Sequence, residues 1–265
     1  MRLSMAVRVS LCCLSLGFGL AVAQARELVV GGIPEVPVRY VDPVDGVIKG
    51  LDVDVLEHIL GRLNVPYRIH LESSSARLES NWRQGKLYDM VFTYSFKEER
   101  TPYLLYAREA HIYNNWHFFV LEKNLPRFRY DSLDDLKGLR VGATQGFSYT
   151  KEFWAAVEAG IWHTDLVTQN ELQMRKLLHG RIDTVPLPAM VTLYGARQDG
   201  YAQRIAYLPK PMKSEAYYNT FVKASSYPGL PGLAQRYDEE LRRMKEDGSL
   251  RAIYRKNGLE EHYPF

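Results

Sequence analysis

Cysteine is nearly absent from this sequence: the two present, Cys12 and Cys13, both lie in the first 25 of 265 residues. Without that stretch neither a disulfide nor a thiolate metal site can form, and packing must supply the stability. An excess of charge of one sign is also lacking. The 34 basic and 31 acidic residues leave no electrostatic footprint for DNA or an anionic membrane, so nucleic acid is not an expected partner. The common catalytic signatures GxGxxG, the P-loop, GxSxG and HExxH are missing. The seven histidines are scattered, and the nearest pair, His111 and His117, fits neither face of a regular helix; no metal and no cofactor is expected.

Long apolar runs are confined to the start of the chain. Arg2 and Arg8 precede "VSLCCLSLGFGLAVA", and "AVA" ending at Ala23 or "AQA" ending at Ala25 suits signal peptidase. The run from Val9 to Ala23 falls short of the roughly 20 residues that span a bilayer. Residues 1–25 are therefore read as a cleaved export signal. Its removal takes Arg2 and Arg8 with it and leaves a nearly neutral exported protein.

What is present points to a globular protein: 46% apolar and 12% aromatic residues can build a sizeable core, and the length favours two domains. "ELVVGG" reads as a strand, and "LDVDVLEHILGRLNV" as an amphipathic helix with Asp52 and Asp54 at its start, where acids suit the helix dipole. "PYRIHL", "ARLESNWRQGK" and "YDMVFTY" continue as strand, helix and strand. The pattern repeats in "LRVGAT", "SYTKEFWAAVEAG", "DLVTQ", "NELQMRKLLHG" and "RIDTVPL". Such alternation predicts α/β lobes with mixed, mainly parallel sheets flanked by helices. The last portion offers one strand, "YYNTFVKASS", and two amphipathic helices with no sheet of their own, so it must pack on an earlier one. The expected organisation is a discontinuous first lobe, residues 26–116 plus 215–265, with a second lobe, 117–214, inserted. Two chain crossings near "HFFVLE" and "KPMKSE" would form a hinge.

Within "YSFKEERTPYLLYA", Arg100 follows a buried strand and precedes an aromatic run. Ligands gather at the carboxyl edge of such sheets, and a guanidinium offers a carboxylate two parallel N–H donors. Pairing with Glu98 or Glu99 on the surface is the alternative use of this residue. In "GATQGFSYTKEF", Gly146 permits close backbone approach and Ser148 can cap a helix whose N-terminus favours an anion, although a plain strand-to-helix turn explains the same residues.

Five segments in order, "GGIPEVPVRYVDPVDGVIKGLDVDVLEHI", "GKLYDMVFTYSFKEERTPYLLYA", "SLDDLKGLRVGATQGFSYT", "LLHGRIDTV" and "MKEDGSLRAIYRKNG", together resemble the family 3 extracellular solute-binding proteins, periplasmic receptors of amino-acid importers. The resemblance spans the chain after residue 25. It implies a type II periplasmic binding protein fold, in which two lobes close on a small ligand by hinge bending. It also implies a monomer in the periplasm and an ABC permease or a membrane chemosensor as partner. Arg100 falls where the family's "TPER"-like motif holds the arginine that grips the ligand's α-carboxylate. By the same carry-over Thr93, Tyr94 and Ser95 line the first lobe's side of the cleft, and Gln145, Gly146, Phe147 and Ser148 contact the same carboxylate from the second. Glu35 falls near a position that often carries a stacking aromatic.

The sequence departs from that pattern in three places. Pro188 stands where an aspartate usually pairs with the α-ammonium, Lys97 replaces the threonine of "TPER", and the spacing from strand to Arg100 is one residue short. Either Glu35 supplies the anionic partner, or the ligand is a carboxylate without an α-ammonium, or the protein senses rather than feeds a transporter. An enzyme on the same scaffold, resembling the periplasmic cyclohexadienyl dehydratases with Glu35 or Glu171 as general acid, is the alternative from a different functional class.

Overall fold

The computed structural model describes residues 26–144, 149–167 and 170–265. In chain order its elements are β1 (Leu28–Gly32), β2 (Tyr40–Val41), β3 (Ile48–Lys49), α1 (Leu51–Arg62), β4 (Tyr67–Leu71), α2 (Ser75–Arg83), β5 (Met90–Ser95), β6 (Leu104–Tyr106) and β7 (Ile112–Leu121). They continue with β8 (Arg140–Thr144), α3 (Lys151–Glu158), β9 (His163–Val167), α4 (Asn170–Leu178), β10 (Val185–Pro188), α5 (Ala189–Gln198), β11 (Ile205–Tyr207), β12 (Lys213–Val222), α6 (Leu230–Glu246) and α7 (Ser249–Lys256).

One mixed sheet runs through the molecule in the order β10-β7-β12-β5-β1-β4, with β11 beside β7 and β6 beside β12. β1 lies parallel to β4 and β5, and β8 parallel to β9; every pair that includes β7 or β12 is antiparallel. The reason lies in the paths of those two strands. Each is ten residues long, and they run past one another in opposite directions, pairing Ile112 with Tyr217 and Trp116 with Lys213.

The core changes hands along these crossings. Ile112 packs with Leu28, Val30, Leu56 and Phe221, whereas Trp116, Phe118 and Val120 pack with Val141, Phe153 and Leu208. α6 and α7, which have no sheet of their own, cover the first of these cores. Leu230, Leu233, Tyr237, Leu241 and Met244 recur at helical spacing on α6, with Leu250 and Tyr254 on α7. Full burial of each such aliphatic side chain contributes about 1.5–3 kcal/mol. α5 falls in the stretch expected to form the second lobe, and its Met190 and Tyr194 pack into the first core.

Two features of this frame position the site. Gly50 precedes α1 with φ 125°, and a Cβ there would stand 2.5 Å from the Val38 carbonyl oxygen. That close approach lets Asp52 N–H donate to Val38 O at 2.8 Å and pins α1 against the loop that carries Arg39. Gly50→Ala is expected to lower stability by at least about 2 kcal/mol in urea unfolding, from positive-φ strain and a backbone clash together. A loss below about 0.5 kcal/mol would show that the loop and helix can part freely. The second feature is a bulge where β5 meets β12, with the register shifting between Tyr218 and Thr220. Opposite it Thr93 takes φ 34°, a left-handed conformation that is costly for a β-branched residue. Asn219 stabilises the bulge, its Oδ1 accepting from Thr93 N–H at 3.1 Å and its Nδ2 donating to Tyr237 OH at 2.7 Å. The distortion re-aims the Thr93 hydroxyl toward α1.

Candidate functional site

A small pocket of ≈ 30 Å³ opens where β7 and β12 meet the loop after β1 and α5. Glu35, Val38 and Arg39 line it from the loop after β1, Thr93 from β5, Ile112, Tyr113 and Asn114 from β7, Tyr217 from β12, and Met190 and Val191 from α5. It therefore collects residues from the loop after β1 and from β5, β7, β12 and α5.

Under the pocket lies a buried ionic network. The loop from Glu35 to Arg39 is pinched by two backbone hydrogen bonds, Glu35 N to Arg39 O at 2.6 Å and Arg39 N to Glu35 O at 2.8 Å. This turns the Arg39 side chain inward, where it is 5% exposed. Its Nε donates to Ile33 O at 2.7 Å, and Nη1 donates to Thr93 Oγ1 and to Asp52 Oδ2. Its Nη2 donates to Glu35 Oε2 at 3.2 Å. Asp52 also accepts from the Thr93 hydroxyl at 3.2 Å and from His111 Nε2 at 2.7 Å.

Asp52 is the anchor of this cluster. It lies in the first turn of α1, where an acid suits the helix dipole, and it is wholly buried. The reason is helical phase: Asp52 shares a face with Val55, Leu56 and Ile59, all buried. Burial alone raises the pKa of its carboxyl; Arg39 and His111 outweigh that and hold it below the usual value. Asp54, two residues on and on the opposite side of the helix, accepts from Lys256 and Asn257. Glu35 behaves in the opposite way. Crowding by the pocket walls raises its pKa, the Arg39 charge pulls it down, and the Asp52 charge pushes it further up.

Of the residues expected to touch ligand, Glu35 and Thr93 line the pocket. Ser95 pairs with the lining residue Tyr217, whereas Tyr94 packs with Trp82 in a separate cluster; neither these two nor Arg100 lines the pocket. The Arg100 guanidinium rests 4.6 Å from the centre of the Tyr94 ring, and Nη1 donates to Ser95 O at 3.2 Å. Among the described residues no carboxylate lies within ion-pair distance of it. Glu99 instead approaches Lys97 at 3.8 Å. Gln145, Gly146, Phe147 and Ser148 lie outside the described residues, as does the export signal. Pro188 ends β10 and precedes α5, two residues before Met190 reaches the pocket. It brings no charge to that wall. Nor do three His, Cys, Asp or Glu side chains gather as a metal site among the described residues.

Arg39, Asp52 and His111 were not anticipated from the sequence. The signal for Asp52 was available: an acid in phase with an apolar stripe is unusual unless it is paired. An arginine in a loop gives no comparable hint.

Comparison with solved structures places the fold. A probable amino-acid ABC transporter extracellular-binding protein, YtmK from Bacillus subtilis, superposes with a TM-score of 0.73 at 18% identity, covering 90% of this chain and 100% of that one. Substrate-binding domain 2 of Lactococcus lactis GlnP, in an open conformation, gives 0.68 at 19% identity, with 90% and 98% covered. A histidine kinase sensor domain with similarity to periplasmic binding proteins gives 0.66 at 19%, with 88% and 96% covered. Curated protein sequences gave no significant match. The profile of the bacterial extracellular solute-binding proteins, family 3, matches residues 28–260. With its two-lobed type II fold, the chain belongs to that family of solute-binding proteins.

Proposed function

We propose that this protein captures a small polar, carboxylate-bearing solute, an amino acid or a relative of one, in the periplasm and presents it to an ABC importer or a sensory partner. In this reading residues 26–116 and 215–265 form one lobe, 117–214 the other, and residues 1–25 are a cleaved export signal. The observation that carries it is Arg100, a partly buried guanidinium that stacks on Tyr94 and, among the described residues, has the Ser95 carbonyl as its hydrogen-bond partner. Such a group retains donors for an incoming carboxylate. Thr93, Tyr94, Ser95 and Glu35 form the first lobe's wall, and Gln145, Gly146, Phe147 and Ser148 complete the grip from the second.

The size of the pocket bears on how the solute enters. Its ≈ 30 Å³ admits about two water molecules, so an amino-acid-sized solute requires the lobes to part and close again. Closure is driven by the solute's greater affinity for the closed form, because equal affinity for both forms would shift nothing. The solved neighbours include both a transporter domain and a kinase sensor domain, which keeps both partner types within the proposal. A dehydratase activity finds no support among these relatives.

Thermal unfolding of residues 26–265 against amino acids, amines and dicarboxylates tests the reading. A solute present at 100 times its dissociation constant is expected to stabilise by about 2.7 kcal/mol. If every carboxylate in the library leaves the melting temperature unchanged, the proposal fails.

A further inference from the structure

Residues 259–265 tie α7 to two elements that wall the pocket, α5 and β7. Leu259 is fully buried in the core beneath α6 and α7, Tyr263 packs against that core, and a short turn, Glu260–His262, lies between the two. The two acids of the turn reach in different directions. Glu260 stays with α7, accepting from Arg251 Nε at 3.1 Å and from Arg255 Nε at 2.8 Å. Glu261 pairs instead with Arg197, in the last turn of α5. Further on, the Phe265 ring stands 5.7 Å from that of Tyr113, a lining residue on β7, and Lys245 Nζ sits 3.9 Å from the centre of the Phe265 ring.

His262 is the uncommitted member of this segment. Its side chain is 12% exposed, and Nε2 lies 3.3 Å from Glu261 Oε1, yet among the described residues that nitrogen has no hydrogen-bond partner. The charged and titratable groups that face it are Glu261 on its own turn, Arg197 from α5 and His117 from β7. Glu261 is already engaged by Arg197. His117 is fixed by its Nδ1 bond to Leu208 O at 2.9 Å and by the Tyr207 ring, 4.5 Å away. A proton on His262 therefore enters a mostly buried place beside a guanidinium and a second imidazole, with one shared carboxylate to receive it. Burial lowers the His262 pKa from its usual value, Glu261 opposes this, and Arg197 and His117 lower it further.

We propose that residues 259–265 are an acid-released strap on the pocket: with His262 neutral they bind α5 and β7 to α7, and a proton taken up by His262 frees them. Because the folded pKa lies below the free value of about 6.5, neutral His262 stabilises the docked strap fully above that value. The contribution is lost as pH falls through the folded pKa. Release parts Phe265 from Tyr113 and Glu261 from Arg197, so the walls on β7 and α5 gain freedom on acidification whatever solute they enclose.

The test is hydrogen exchange of the protein, read by mass spectrometry on the peptide covering residues 257–265 and divided by the chemical exchange rate at each pH. That peptide is expected to exchange at least about fivefold faster at pH 5.5 than at pH 7.5, while α6 keeps its protection. In His262→Gln, which takes up no proton, the two pH values should give the same protection. Equal protection of the wild-type peptide at both pH values overturns the proposal, as does a His262→Gln protein that remains acid-sensitive. A loss that extends equally to α6 overturns it too, since that is a general softening of the fold. NMR titration of the wild-type imidazole needs no variant: a His262 midpoint below the free value of about 6.5 is expected, and one above it refutes the strap.

Discussion

Asp52→Ala is expected to lower the unfolding free energy by about 3–5 kcal/mol, measured in urea, the largest effect of any single change at this site. The cost comes from what remains: an Arg39 guanidinium 5% exposed and without its main counter-charge, and a His111 ring whose Nε2 has lost its acceptor. Asp52→Asn keeps an acceptor for Arg39 and His111 and should cost less, about 1–3 kcal/mol. The pH dependence gives a second reading. Because the folded-state pKa of Asp52 is lowered, its contribution is fully present above the unfolded value of about 4 and is lost as pH falls through the folded one. The stability gap between wild type and Asp52→Asn should therefore be flat from about pH 5 to 7 and narrow below about pH 4. A gap that widens on acidification would mean that the buried carboxyl is protonated in the fold.

How far the sequence discloses this structure differs between scaffold and site. The alternation of "ELVVGG", the helix from Leu51 and "PYRIHL" is local chemistry, and those elements form where periodicity predicts them. α5 was not foreseen. It follows β10 without a turn, and "AMVTLYGARQ" contains β-branched residues and a glycine; Pro188, at the N-cap, starts the helix because it ends the strand. The first half of β7 was equally hidden, since "IYNNW" is held extended by its pairing with β12, a partner about a hundred residues away. At the site, Glu35 and Thr93 were reached through family resemblance. Arg39 was not, because only tertiary structure shows that its loop folds inward. His111 and His117 attracted notice as neighbours in sequence, yet one bonds to Asp52 and the other donates from Nδ1 to Leu208 O, in different cores. Sequence proximity says little about chemistry when a strand passes from one hydrophobic core to another between the two residues.

Arg100→Ala separates binding from stability, and the two effects should be of very different size. Among the described residues the guanidinium makes one hydrogen bond of 3.2 Å and a stacking contact with Tyr94, so its removal is expected to cost only about 0.5–1 kcal/mol of stability. Binding of the best carboxylate solute from the thermal screen is expected to weaken by more than about 2 kcal/mol, since a carboxylate enclosed by both lobes would lose its charge partner after paying for desolvation. Arg100→Lys should fall between, keeping the charge but not the two-pronged donor geometry. A binding loss below about 0.5 kcal/mol, read by calorimetry, would return Arg100 to a surface role, where exposed ion pairs contribute about 0–1 kcal/mol. The structure already weakens that outcome, because Glu98 and Glu99, the nearest acids in sequence, do not pair with it. On the reading proposed above, a guanidinium placed over an aromatic ring, with no carboxylate of the described residues within ion-pair distance, keeps its strongest interaction for the solute.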